Sequence, residues 1–157
     1  ARGLQLRLNW SKGVVDLGDV DTAIARLSQA PSDALRVFVL HHPLVEVTGT
    51  PMTAETQRGR AAAETLCGSG EVDLIMTGHI HSPFANTLPY GDGKTIATGA
   101  STLSRRIRGT PAGFNQLDID ADTVTVTAQA WKNGGYCTER TWVLSRRQRG
   151  APAAKAA

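Results

Sequence analysis

In the first half of the chain, short apolar blocks alternate with polar stretches of helical period. Residues 19–30, DVDTAIARLSQA, place acids in a first turn and set Ile24 and Leu27 on one side, which predicts a short helix closed by Pro31. Residues 35–40 form a nearly continuous apolar and β-branched run, the pattern of a strand covered on both faces. A second helix is predicted over residues 53–67, with Thr53 as cap, Ala61, Ala62 and Ala63 inside it and Gly68, Ser69 and Gly70 beyond its end. Residues 72–77 read as another buried strand. This order predicts a βαβ unit with parallel strands and a right-handed crossover.

Past His81 the pattern changes to alternation. Residues 85–90, 95–99, 114–119, 123–131 and 137–144 are predicted as short strands of an antiparallel section, separated by Gly-, Asp- and Asn-rich turns. The fold class expected is therefore α/β, a βαβ unit followed by antiparallel strands. Residues 1–145 are expected to form the domain and residues 146–157 a basic, disordered tail.

Composition adds little to that picture but removes some functions. A chain of 157 residues with 41% hydrophobic and 20% charged residues is of one-domain, globular type. The net charge of +3 comes largely from two arginine clusters, Arg105, Arg106, Arg108 and Arg146, Arg147, Arg149, so the excess is local and does not mark the whole protein as a nucleic-acid binder. The second cluster is expected to be solvated. Cys67 and Cys137 lack any C-x-x-C context and read as small, partly buried thiols in a reducing compartment. No run approaches the roughly 18 apolar residues of a membrane span. No membrane association and a cytoplasmic location are expected, and the absence of an initial methionine leaves room for an upstream segment.

The candidate chemistry lies in the four histidines. His41 and His42 follow the strand predicted over residues 35–40, and His79 and His81 follow the one predicted over residues 72–77, so both pairs fall at C-terminal strand ends. Loops converge at such ends on a rigid scaffold. Gly78 permits a sharp turn and Pro43 fixes the exit of the other loop. Imidazole is the commonest ligand for zinc, iron and manganese-type sites, and three of them leave coordination positions open for water. A His-x-His pair also occurs in cupin barrels. A cupin needs a glutamate shortly after the pair and a later histidine, and this chain has neither.

Leu40-His41-His42-Pro43 followed by Gly78-His79-Ile80-His81 resembles the H-x-P and G-H-x-H motifs of the calcineurin-like metallophosphoesterases, in their bacterial phosphodiesterase-like and DNA-repair-exonuclease-like branch. Residues 8–13 and 101–109 are similar to stretches of the same branch, so the likeness covers most of residues 1–145. The resemblance implies the C-terminal half of an αββα sandwich and a phosphoester hydrolase with two metal ions, of manganese, iron or zinc. It implies that His41 and His79 bind one metal and His81 the other, while His42 is a neighbour or a substrate contact. Arg105, Arg106 and Arg108 are candidate phosphate contacts, their guanidinium forks suiting that group, with a solvated loop as the other reading.

The family pattern also includes Asp-x-His, Gly-Asp-x-x-Asp and Asn-His motifs ahead of H-x-P, and none is present. Gly18-Asp19-Val20-Asp21-Thr22 does not substitute, because Thr22 stands where the second aspartate belongs. The chain is thus expected to supply histidine ligands but no bridging carboxylate, and to need an N-terminal half from the same gene or a partner chain. Association with a further copy of itself is the other partner expectation. The two function classes are a hydrolase of phosphomonoesters or phosphodiesters, and a non-catalytic metal-binding or interaction module.

Overall fold

The computed structural model describes residues 13–48, 56–103 and 109–149. The chain is α/β, with one sheet containing parallel strands and a second, antiparallel sheet. Helix α1 (Leu17–Leu27) begins where the Asp16 carboxylate accepts a hydrogen bond from the Gly18 N–H at 2.8 Å, with Asp19 in the first turn and Arg26 in the last complementing the helix dipole. Val20 is its buried residue, and Ile24 and Leu27 pack beside it.

Strand β1 (Val37–Val39) is followed by helix α2 (Gly59–Gly68) and strand β2 (Leu74–Thr77), and β1 and β2 pair in parallel as the pattern predicts. Helix α2 starts later than expected. Gln57 exchanges backbone hydrogen bonds with Gly13 and Val15, and Thr56 donates to the Pro43 carbonyl, which holds residues 56 and 57 out of the helix. Thr53, the expected cap, lies outside the described residues. Gly59 sits against the Leu44 carbonyl, where no Cβ would fit.

Strands β3 (Phe84–Thr87) and β4 (Ile96–Gly99) complete the first sheet in the order β1-β2-β4-β3. Here the expectation of a wholly antiparallel second half is corrected. Strand β4 lies parallel to β2 and only β3 runs antiparallel. All four β4 residues are buried, the environment of a central strand covered on both faces.

Strands β5 (Gly113–Ile119), β6 (Thr123–Lys132) and β7 (Gly135–Ser145) form the second sheet as an antiparallel meander, with a register shift at Ala128/Gln129. Alternation decides the layering. Ile75, Phe84 and Ala97 face Val20, Ala62, Ala63 and Leu66 of the helices, whereas Leu74, Ala85 and Ile96 face Val124 and Val126 of β6. The result is helix, sheet, sheet. A helical layer on the far side of the second sheet, which a full αββα sandwich would have, is not among the described residues. None of the described helices is long and apolar enough to cross a membrane.

The expectation of solvated arginines at residues 146–149 is overturned for Arg147 and Arg149, while the hydrogen bonds of Arg146 lie at the exposed surface. Arg147 is buried and donates to Asp92 at 2.8 Å and to Thr95 Oγ1 at 3.1 Å, and Arg149 donates to Asp73 at 2.7 Å. Sequence pattern missed this because the partner acids are distant along the chain. Residues 150–157 lie outside the described residues. Cys67 is buried, and burial pushes its thiol up; Cys137 is exposed.

Candidate metal centre

The two histidine-bearing loops are knitted together by backbone. Beyond β1, the Leu40 N–H donates to the Met76 carbonyl and the Gly78 N–H donates to the His41 carbonyl, each at 3.0 Å. The parallel register therefore continues past the strand ends and fixes His41 beside Gly78. A Cβ on Gly78 would stand 3.3 Å from His41 Nδ1, so glycine lets the imidazole lie against the backbone. His79 (φ 66°) and His81 (φ 62°) both adopt the left-handed conformation, and Ile80 between them donates to the Gly78 carbonyl at 2.8 Å. Left-handed backbone at residues other than glycine costs on the order of 1–3 kcal/mol each, and it concentrates at functional sites.

The three imidazoles brought together are His41, His42 and His79, each offering a nitrogen, with those atoms within 4.8 Å of one another. The His42 and His79 rings stack tilted at 4.2 Å between centroids, while His41 meets His42 edge-on at 4.8 Å and His79 at 5.3 Å. His42, expected to point elsewhere, thus belongs to the tight group. His81 lies outside it, and its carbonyl accepts a hydrogen bond from the Thr110 hydroxyl. The sequence signal for His42 was the doublet itself. Strand alternation would send successive side chains apart, but residues 41 and 42 form a bend where the interstrand bonds end at His41, so both rings can face one pocket.

His41 is exposed, His42 and His79 half-buried. Burial, and then the neighbouring His41, holds the His42 imidazole below its ordinary value. Neutral imidazole is the metal-binding form. The donor chemistry suits a metal ion. With metal–nitrogen bonds of about 2.1 Å, two nitrogens on one ion lie roughly 3.4 Å apart in a tetrahedron and at most about 4.2 Å apart. The nitrogens, within 4.8 Å of one another, are spread slightly wider than either value, so a bound ion would draw the rings together.

Beside the cluster is a cavity of about 240 Å³ walled by Val14, Phe38 and Leu40, with Asp16, Asp19 and His42 at its polar parts. Neither aspartate joins the imidazole group. Asp16 caps α1 instead. Arg105, Arg106 and Arg108 lie outside the described residues.

No protein-family model matches the chain, and no curated protein matches it. Among solved structures, Vps29 from Entamoeba histolytica complexed with zinc is similar at a TM-score of 0.38 and 19% identity, over 55% of this chain and 46% of that one. A double-substitution variant of the same protein gives a TM-score of 0.38 and 18% identity over the same shares. A single-substitution variant gives a TM-score of 0.38 and 13% identity over 80% of this chain and 88% of the other. The chain thus spans less than half the length of the first two. Likeness at this level carries no inference, and the architecture rests on the strand pairing described above.

Proposed function

We propose that this chain is the imidazole-bearing part of a metal-dependent hydrolase of phosphomonoesters or phosphodiesters. The observation that supports this most is the meeting of His41 and His79 at adjacent C-terminal ends of parallel β1 and β2, in the two motifs that resemble those of the metallophosphoesterases. In this reading His41 and His79 hold one metal and His81, on the same loop, serves a second, drawn from manganese, iron or zinc. When bound, the ions supply Lewis acidity toward the phosphoryl oxygens and toward the attacking water. The chain's own residues position the ions: the Gly78 to His41 backbone bond sets one loop against the other, and Thr110 steadies the loop at His81. Arg105, Arg106 and Arg108 are proposed substrate contacts.

Three neutral donors leave the positive charge of two neighbouring ions uncompensated, so a carboxylate-bearing N-terminal half, from the same gene or a partner chain, is part of this proposal. Among the described residues no carboxylate joins the tight imidazole group, which favours a second reading, a non-catalytic metal-binding or interaction module.

The discriminating experiment assays bis(p-nitrophenyl) phosphate with added manganese or zinc, using the chain alone and together with a polypeptide carrying the missing aspartate and asparagine motifs. Little turnover alone, and metal-dependent turnover in the mixture that His79→Ala abolishes, is the result expected. A mixture that binds metal without turnover selects the second reading.

A further inference from the structure

We propose that His41, His42 and His79 form a single-metal site complete within this chain, with His42 rather than His81 as the third ligand. The resemblance to phosphoesterases gives His42 no such role, and the proposal stands without it. Three nitrogens already lie within 4.8 Å of one another on two loops that backbone hydrogen bonds lock together. Each ring also has a built seat. His41 lies over Gly78, and His42 lies so close to Gly13 that a Cβ there would stand 2.7 Å from the His42 Cβ. His79 is held in left-handed backbone, and its ring lies 4.2 Å from that of His42.

The donor chemistry narrows the ion. Three neutral imidazoles suit zinc, cobalt, nickel or copper better than calcium or magnesium, which prefer oxygen. With no carboxylate among the described residues in the group to screen a second charge, the site holds one ion. A tetrahedral ion leaves its fourth position to water or a small anion.

The test is metal titration of the full 157-residue chain with cobalt(II) and zinc alone, read by calorimetry and by the visible absorption of tetrahedral cobalt. One ion per chain with an intense visible band is expected. His42→Ala and His79→Ala should each weaken cobalt binding by about 100-fold or more, the upper end of what even an outer-shell partner's loss costs. His81→Ala should change it by less than about threefold, well short of that range. Gly13→Ala, which crowds His42 while leaving every ligand in place, should also lower affinity. Because a His42 variant could misfold, proton NMR of the cobalt-loaded wild type gives a second readout. Paramagnetically shifted signals from three imidazoles, those of His41, His42 and His79, support the site. Two ions per chain, no binding by the wild type, or loss on His81→Ala with retention on His42→Ala would overturn it. None of these outcomes depends on hydrolysis, so failure here and failure of the phosphoesterase reading remain distinguishable.

Discussion

The Arg149 guanidinium meets the Asp73 carboxylate at 2.7 Å, joining the end of the second sheet's chain to the start of β2. The same carboxylate accepts the Arg36 N–H at 2.9 Å and faces Arg147 Nε at 3.8 Å, a charge contact too long for a hydrogen bond. Asp73 is only 2% exposed. Removing it takes the carboxylate from Arg149, which keeps only the Gly70 carbonyl, while Arg147 retains Asp92, so Asp73→Ala should destabilise the fold by about 2–3 kcal/mol. Urea unfolding at neutral pH measures this, and a loss under about 1 kcal/mol would mean that the arginines find water instead.

Leu66, on α2, is fully buried in the core between the helices and the first sheet. Leu66→Ala leaves a cavity there and should cost about 2–5 kcal/mol. Leu103 is 67% exposed, and its replacement by alanine should stay within about 0.5 kcal/mol. Parallel denaturation curves for the two variants test whether the helical face of β2 and β4 carries the stability assigned to it.

Much of this architecture was legible because burial imposes a period. The continuous apolar run at β2 signalled a strand buried at its start, whereas the similar run at β1 ends on Val39, which is exposed, and strict alternation in β6 signalled a sheet with one face on a core. Strand β4 was misread because its four residues are too short to show a period, and its parallel pairing depends on the neighbour β2 rather than on anything local. Arg147 and Arg149 were misread for a related reason: a charged run looks solvated until the fold brings Asp73 and Asp92 beneath it. At the site, glycine and histidine spacing pointed to the two loops whose imidazoles meet. Which imidazoles meet depended on the bend at residues 41 and 42, where alternation no longer applies.

Asp120 gives a pH dependence of known sign. Its carboxylate accepts the Asp122 and Thr123 N–H groups at 2.8 and 2.7 Å and the Thr123 hydroxyl at 2.8 Å, and these bonds hold it below the ordinary value of 3.8. A lowered folded-state value stabilises the protein above the unfolded value and ceases to do so as pH falls through the folded one. Asp120→Asn should therefore lower the melting temperature at pH 7, and the gap from wild type should shrink below about pH 4. Melting curves taken from pH 3 to 7 follow that gap; one that stays constant would assign the effect to turn geometry rather than charge.

Strand β1 has a paired neighbour on one side only among the described residues, and Val39 on it is 70% exposed. Val14, 65% exposed, lines the cavity of about 240 Å³ that Phe38 and Leu40 also wall. An open strand edge beside uncovered apolar side chains is a template for another strand, because both the backbone groups and the apolar surface gain by pairing. The chain should therefore associate at micromolar concentration, with itself or with a complementary strand-bearing chain. Val39→Lys places a charge on that edge without disturbing the buried face, so it should shift the population toward monomer while the melting temperature of the monomer changes little. Sedimentation velocity over a concentration series reads the shift directly. A wild type that stays monomeric across the series would show that the β1 edge is covered by other means, and equal association of wild type and Val39→Lys would place the contact elsewhere.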